Sequence, residues 1–269
     1  MKCFLMFLTA LAAACTANAD IMYQTGANGT VLYTTDSTNG SSVAVGPFGF
    51  SAVYGDAFSS SGTLYVTVNA STLATVNLST GAATPVGVST GLSDLMSLEF
   101  APNGTLYAAS WANNNLYTLN TTTGAATLVG SLGVPGSVMD LAWDSLNSTM
   151  YGLSSGGPSG SLVYSVNLSS GLGTLLTNIP SDNCLMGLAI DSAGTFLSTD
   201  YCQANTPLYQ INTSTGALTS LGLTGISGAM GGDFQNTTPE PSSLILSLAG
   251  LGGFWYTRRR QLRLRMFLK

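Results

Sequence analysis

The residues of this sequence that could do chemistry are almost all carboxylates. All twelve Asp and Glu residues lie between Asp20 and Glu240, an interval without Lys or Arg, and the whole chain contains no His. Because Ser-His-Asp and Cys-His catalysis both need an imidazole base, the sequence excludes them. Nucleic acids are bound mainly through Lys and Arg, so we expect no nucleic-acid partner.

Paired carboxylates remain as a catalytic device, because glycosidases work with two of them. Asp94, Asp140 and Asp182 lie near the starts of predicted strands, where they could converge on a substrate. Glu99 is the only Glu in the repeated part of the chain, and no cationic or imidazole side chain is present there to assist an acid. We therefore expect a protein that is not an enzyme, with a secreted glycosidase or lyase as the alternative.

A second set of residues combines aromatic rings with amides and carboxylates in predicted loops. An aromatic face with neighbouring amides suits a sugar, whereas carboxylates with carbonyl groups suit Ca²⁺. We expect no cofactor, and Ca²⁺ is an alternative that no further feature supports. Each residue could instead be an ordinary solvated loop residue, and Trp111 could pack between repeats. The candidate ligand-binding residues are Trp111, Asn113, Asn114, Asn115, Asp94, Asp182, Asp200 and Tyr201, with Asn205 nearby.

Two cysteines, Cys184 and Cys202, flank one predicted hairpin. If its turn pairs Ile190 with Thr195, the same register places Cys184 opposite Tyr201 and next to Cys202. A disulfide at the open end of this hairpin is then expected in an oxidising compartment, with two buried free thiols as the alternative. Two cysteines without His do not predict a metal site.

The elements that would position these residues are repeats. In each of five copies an Asx residue stands four positions before a Gly, and the glycines recur every 41 to 47 residues. Asx side chains can bond to a turn backbone and Gly takes positive φ, so each copy predicts two strands joined by a tight turn. The pairs are Asp36/Gly40, Asn77/Gly81, Asn120/Gly124, Asn167/Gly171 and Asn212/Gly216.

A second module alternates with the first, and its Asn-Gly and Ser-Gly turns predict hairpins. Its last copy begins at Gly228 and stops half-way, and DIMYQT at residues 20–25 matches the missing half. A ring closed by pairing the two ends explains this split, and a period of about 44 residues with four strands fits a propeller blade. We therefore predict an all-β, five-bladed β-propeller over residues 20–236, with a β-sandwich or an open repeat array as alternatives.

The innermost strand of each blade is predicted near 53–58, 95–100, 138–143, 184–190 and 229–234. Aligning these strands gives two columns, which we interpret as packing between blades because Met fills irregular gaps. A Met-lined channel for a metal or ligand is the alternative. The columns are Tyr54, Met96, Met139, Met186 and Met230, and Phe58, Phe100, Trp143, Ile190 and Phe234.

The N-terminal segment, residues 1–19, has the features of a secretory signal peptide. Lys2 precedes an apolar run that ends at Ala17-Asn18-Ala19, and we expect cleavage after Ala19. A membrane anchor that is never cut is the alternative.

The C-terminal segment, residues 237–269, holds most of the positive charge. Pro239-Glu240-Pro241 precedes an apolar stretch over 242–257, predicted as a transmembrane helix of about 24 Å, and then Arg258-Arg259-Arg260. Arginines after such a stretch stay on the cytoplasmic side. This order of features resembles the PEP-CTERM sorting signal of Gram-negative bacteria. A plain C-terminal anchor is the alternative, and the tail from Gln261 to Lys269 is longer than that pattern usually has.

The resemblance implies that an exosortase handles the chain at the inner membrane, where the domain is transiently anchored. It also implies removal of the tail and delivery to the cell surface or an extracellular polysaccharide matrix. We expect a monomeric, non-enzymatic surface or matrix protein that binds polysaccharide or another surface protein.

Overall fold

The computed structural model describes residues 20–157, 160–181 and 184–235, and within these ranges the chain is built from β-strands. No helix in this described part is long and apolar enough to cross a membrane. The predicted signal peptide, sorting motif and transmembrane helix lie outside the described residues. The strands are β1 (Ile21–Gly26), β2 (Val31–Asp36), β3 (Ser42–Pro47), β4 (Val53–Phe58), β5 (Leu64–Val68), β6 (Thr72–Val76), β7 (Ala83–Pro85), β8 (Leu95–Phe100), β9 (Leu106–Ser110), β10 (Asn115–Leu119), β11 (Ala126–Ser131), β12 (Ser137–Asp144), β13 (Thr149–Gly157), β14 (Gly160–Val166), β15 (Gly173–Ile179), β16 (Leu185–Ile190), β17 (Phe196–Asp200), β18 (Pro207–Ile211), β19 (Leu218–Leu223) and β20 (Met230–Phe234).

The strands form five antiparallel sheets of four strands each, which are the blades of a propeller. Blade 1 is β20-β1-β2-β3, and blades 2 to 5 are β4–β7, β8–β11, β12–β15 and β16–β19. The first strands of neighbouring blades, β20, β4, β8, β12 and β16, contact one another in a closed ring around the axis. The predicted five-bladed propeller is therefore confirmed, and its inner strands lie where the repeats place them.

The ring closes inside blade 1, where the last strand of the domain pairs with the first. In this pair β20 runs antiparallel to β1, with Met22 opposite Phe234 and Tyr23 opposite Asp233. A bulge follows, and beyond it the hydroxyl of Thr25 donates to the carbonyl of Met230 at 2.7 Å. The split repeat therefore has the structural meaning that we predicted.

Each of the five junctions between blades contains its own apolar cluster. The smallest lies between blades 5 and 1 and contains five buried residues, among them Met22 and Phe234. At three of the junctions an edge-to-face aromatic pair connects the two blades: Tyr23–Phe58, Tyr65–Phe100 and Tyr151–Phe196. The second predicted column belongs to these junctions, because each of its five residues is buried in a cluster or packs against one. In the first column, Met139 is buried in the cluster between blades 4 and 5, and Met186 packs against it.

The repeated Asx-Gly turns join the third and fourth strands of every blade. The Asn77 Oδ1 atom accepts from the backbone N–H of Ser79 at 2.9 Å, and the N–H of Gly81 donates to the Asn77 carbonyl at 2.8 Å. A Cβ on Gly81 would lie 2.3 Å from the carbonyl oxygen of Gly46 in the preceding blade. Equivalent close approaches recur around the ring at Gly40, Gly124, Gly171 and Gly216. These glycines therefore serve two purposes, a positive φ and the contact between neighbouring blades.

The hairpin of blade 5 differs from the predicted register near its turn. Ile190 pairs with Phe196, not with Thr195, because the turn itself pairs Asp191 with Thr195. A bulge between Leu185 and Gly187 then shifts the register by one residue. Beyond this bulge the N–H of Tyr201 donates to the carbonyl of Cys184, and the Cys184–Cys202 disulfide joins Cα atoms 5.8 Å apart.

Candidate binding face and central channel

Trp111 lies on the face of the propeller where the inner strands begin. It follows β9, in the loop between the second and third strands of blade 3, and 45% of its surface is exposed. Its backbone N–H donates to the carbonyl of Asp94 at 2.8 Å, which ties this loop to the loop that precedes β8. Trp111 therefore has almost half of its surface open to solvent, on the face where a ligand could reach it.

Two of the three candidate asparagines beside Trp111 share one partner. The side-chain amides of Asn113 and Asn115 both donate to the hydroxyl of Tyr117, at 3.0 and 3.4 Å. The backbone N–H of Asn115 also donates to Asn113 Oδ1 at 3.0 Å. Tyr117 was not among the predicted site residues. Its alternation within β10 could have indicated it, because it lies two positions after Asn115.

Asn114 has a different part in the same loop. Its Nδ2 atom donates to the carbonyl of Gly136 at 2.5 Å, and its Oδ1 atom accepts from the N–H of Val138 at 3.0 Å. Asn114 also has a φ of 52°, a left-handed conformation that Asn tolerates better than most residues. The oxygen and the nitrogen of the Asn114 amide therefore both form hydrogen bonds that join blade 3 to blade 4.

The remaining predicted site residues lie on other blades. Asp200 is buried, its Oδ1 atom accepts from the N–H of Cys202 at 3.0 Å, and its Oδ2 atom accepts from Gln203 at 2.5 Å. The hydroxyl of Tyr201 donates to Asn28 of blade 1 at 3.1 Å. Blade 4 separates this group from Trp111, and Asp182 lies outside the described residues. The candidate residues on this face therefore form two groups.

The inner strands surround the propeller axis, a region that we call the central channel, and they carry four carboxyl groups: Asp56, Glu99, Asp140 and Asp233. Asp56, Glu99 and Asp140 are buried, with 2%, 5% and 1% of their surface exposed, and Asp233 is partly buried. Asp140 and Glu99 were considered from the sequence as acidic residues that could do chemistry, but Asp56 and Asp233 were not. An acidic residue inside an otherwise apolar inner strand was the available signal.

Asp56 and Asp233 clasp blades 1 and 2 from opposite sides. The Oδ1 atom of Asp56 accepts from the N–H of Gly232 at 2.7 Å, and the Oδ2 atom of Asp233 accepts from the N–H of Phe58 at 2.7 Å. Gly231 has a φ of +64°, and a Cβ there would lie 2.5 Å from Asp56 Oδ1, so any other residue would be strained and would push against the Asp56 carboxyl group. The clasp holds the last strand of the domain to the next blade.

Asp140 makes the same kind of bond at another junction. Its Oδ2 atom accepts from the N–H of Leu188 in blade 5 at 2.8 Å, and its Oδ1 atom accepts from the N–H of Leu141 at 2.9 Å. Glu99 accepts from the N–H of Phe100 at 2.8 Å through Oε1. The channel carboxylates therefore fix inner strands to one another.

Burial is the main influence on the acidity of the channel. Desolvation, with added repulsion from neighbouring carboxylates, raises the pKa of Asp56, Glu99 and Asp140 well above the usual range. Desolvation also raises the pKa of Asp233 to about 7, although its bonds to the N–H groups of Phe58 and Phe234 lower it. No cationic side chain lies between Asp20 and Glu240, so within this interval the carboxylates can be neutralised by protons but not by ion pairs.

The channel carboxylates do not converge as metal ligands would. Over residues 20–157, 160–181 and 184–235, a group of three ligating atoms within 4.8 Å of one another occurs only at Cys184, Asp200 and Cys202. The two sulfurs of that group form the disulfide, and a disulfide is not a thiolate ligand.

A family model described as "Repeat of unknown function (DUF6923)" matches residues 7–157, which is more than half of the chain. The chain belongs to this family. The match covers blades 2 and 3 in full and parts of blades 1 and 4. No curated protein matches the sequence.

Solved structures with the same fold are distant in sequence. A chain of a nidogen/laminin complex is 14% identical, with a TM-score of 0.52 over 81% of this chain and 86% of that chain. A protein of unknown function from Bacteroides caccae is 9% identical, with a TM-score of 0.51 over 81% of this chain and 100% of that chain. Another, from Bacteroides thetaiotaomicron, is 18% identical, with a TM-score of 0.52 over 76% of this chain and 58% of that chain. At these identities the likeness is one of fold.

Proposed function

We propose that this member of the family is an exported, non-enzymatic surface or matrix protein whose propeller binds a polysaccharide through the face that carries Trp111. The observation that carries the proposal is the exposed ring of Trp111, beside two asparagines that Tyr117 holds in place. A sugar ring stacks on an aromatic face while amides bond to its hydroxyls. A rigid amide pair loses little conformational entropy on binding.

The charge of the domain narrows the ligand to neutral sugars. The interval from Asp20 to Glu240 carries acidic groups and no cation, so a polyanionic chain would be repelled. A non-enzymatic role fits the bonding of Asp140, because both of its oxygens are occupied by backbone N–H groups. A general acid or base must instead reach the substrate.

The proposed route to the cell surface is export followed by sorting at the C-terminal segment. The signal-peptide features of residues 1–19 and the likeness of 237–269 to a PEP-CTERM signal support delivery to the cell surface by an exosortase. The test is mass spectrometry of the protein recovered from outside the cells. Peptides should end near Pro239-Glu240-Pro241, and intact peptides from Gln261 onward in that fraction would instead show a chain that keeps its tail.

The binding test compares Trp111→Ala with Leu146→Ala. Leu146 is 63% exposed and lies at the other end of the strands, in the loop after β12, so its variant removes apolar surface away from the proposed face. We expect the Trp111 variant to bind a neutral polysaccharide about tenfold more weakly, which is about 1.4 kcal/mol. The Leu146 variant should bind as the unaltered protein does.

The readout is binding to a glycan array and to matrix polysaccharide of the host. Equal weakening by both substitutions would place the ligand elsewhere, and a protein that binds no glycan would leave a surface protein as the partner to seek. Melting temperatures of both variants separate loss of binding from loss of fold.

A further inference from the structure

The four carboxyl groups of the channel have no part in binding at the face, yet they are unusual on physical grounds. A buried carboxylate is costly unless it is paired with a cation or fully hydrogen-bonded. The interval from Asp20 to Glu240 has no Lys, Arg or His, so none of the four has a cationic side chain to pair with among the described residues. Four negative charges around one axis would therefore repel each other in a low dielectric.

One oxygen of the channel indicates where the neutralisation takes place. Asp56 Oδ2 is buried and accepts no hydrogen bond from the described residues, whereas Oδ1 of the same group accepts from Gly232. The hydroxyl of Ser97, on the inner strand of blade 3, is also buried without a partner there. A protonated carboxyl group has one oxygen that carries hydrogen and one that accepts, which matches this division at Asp56.

A metal ion fits the same observations less well. Chelation brings several oxygens to about 2.3–2.6 Å from one point. Within the described ranges, the only three-ligand group of such compactness lies at the disulfide, away from the channel. In the channel, both oxygens of Asp233 and of Asp140 are already directed at backbone N–H groups.

We propose that the channel is a proton-dependent clasp, in which protons shared among four carboxyl groups hold the inner strands together. The four groups are those of Asp56, Glu99, Asp140 and Asp233. Loss of these protons loosens the ring at the junction of blades 1 and 2. That junction is the sensitive one, because two of the four groups bridge it in opposite directions. It also holds β20, the strand on which closure of the propeller depends.

The direction of the pH dependence follows from the raised pKa values. A group whose pKa is higher in the folded than in the unfolded state stabilises the fold fully below its unfolded pKa and loses that contribution as pH rises through its folded pKa. For Asp233 this window runs from its ordinary value of 3.8 to about 7. The other titratable groups that act here are the remaining three carboxyls and Tyr164, whose pKa is raised by burial and by Asp140.

The experiment is thermal unfolding of the secreted domain at pH 5 to 8 in three forms. The unaltered protein should melt at a temperature that falls by about 5 °C or more over this range. Asp56→Asn should show a smaller fall, because the amide keeps an oxygen for Gly232 and cannot ionise. Asp94→Asn removes the same charge from a loop outside the channel and should fall as steeply as the unaltered protein.

A melting temperature that is constant or rises with pH, or an Asp56→Asn variant as pH-sensitive as the unaltered protein, would overturn the proposal. If Asp56→Asn does not fold, infrared spectroscopy of the unaltered protein decides the matter. A protonated carboxyl band should persist at pH 6, and complete ionisation there would contradict us. Recovery of the melting temperature at pH 8 on adding Ca²⁺ alone would also overturn the proposal, in favour of a cation site.

Discussion

The propeller holds its blades together with two rings that work differently. The outer ring consists of the Asx-Gly turns, and the same backbone approach recurs at all five junctions. The inner ring consists of side chains that differ from junction to junction: Asp56 and Asp233 at blades 1 and 2, Asp140 at blades 4 and 5. At blades 2 and 3 the hydroxyl of Thr67 donates to the carbonyl of Leu95 at 2.9 Å instead.

The two rings constrain the sequence of the repeat in different ways. The outer ring is set by a backbone shape, so every copy must keep the same Gly and the same Asx. The inner strands meet around an axis, where a single carboxylate can serve two blades and the copies need not agree. The outer ring should therefore respond to added side-chain volume, and the inner ring to the hydrogen bonds and protonation of its carboxyl groups.

The largest effect is expected from Gly81→Ala in the outer ring. Its φ is +77°, and the new Cβ would meet the carbonyl oxygen of Gly46 at 2.3 Å. Strain and the clash together should lower the free energy of unfolding by about 2–5 kcal/mol. Gly104→Ala is the control, because its φ is +80° and nothing lies within 4 Å of its Cβ position. Denaturant unfolding of both variants measures the difference, and equal losses would mean that only φ matters.

Removing the disulfide should have the next largest effect. Replacing both Cys184 and Cys202 by Ser opens a loop with a sequence separation of 18 and should cost about 3 kcal/mol. The disulfide joins the start of inner strand β16 to the loop after β17. The melting temperature of the double variant should equal that of the reduced protein. A protein whose melting temperature does not change on reduction would show that the hairpin needs no cross-link.

The inner ring is tested by Asp140→Asn against Asp56→Asn at pH 7. Both oxygens of Asp140 accept hydrogen bonds from backbone N–H groups. In the Asn variant, the side-chain NH₂ group would therefore face one of these N–H donors. We expect a loss of about 1–3 kcal/mol in the free energy of unfolding. Asp56→Asn should lose less, because only its Oδ1 atom has a hydrogen-bond partner in the described part of the chain. The reverse order in denaturant unfolding would show that charge, not bond geometry, dominates the channel.

The smallest effect on stability is expected at the binding face. Trp111 is 45% exposed, so Trp111→Ala should lower the free energy of unfolding by about 1 kcal/mol or less. Trp143→Ala is the contrast, because Trp143 packs against the cluster between blades 3 and 4 and should cost more. Calorimetry of the two variants checks the order. A Trp111 variant as unstable as the Trp143 variant would mean that its ring supports the fold.

Much of this architecture could be predicted from local patterns. The period of the Asx-Gly pairs and the alternation within the strands were enough for the blade count and the inner strands, because both depend on residues close together in one repeat. The closure joins strands about 200 positions apart, but it could be predicted because the half repeats at the two ends complete each other. Site residues were predicted less evenly. Trp111 is exposed as a ligand-binding ring should be, but Asn114 is occupied in joining two blades, and Tyr117 was overlooked.

The sequence by itself determined that the domain is acidic, repetitive and without an imidazole or a cation from Asp20 to Glu240. Only the tertiary structure decided that Asp56 and Asp233, 177 positions apart, clasp the same pair of blades. It also decided the one-residue bulge that places Cys184 opposite Tyr201. The physical reason is that a repeat encodes contacts within a blade, whereas the bonds between inner strands of different blades form only when the ring closes.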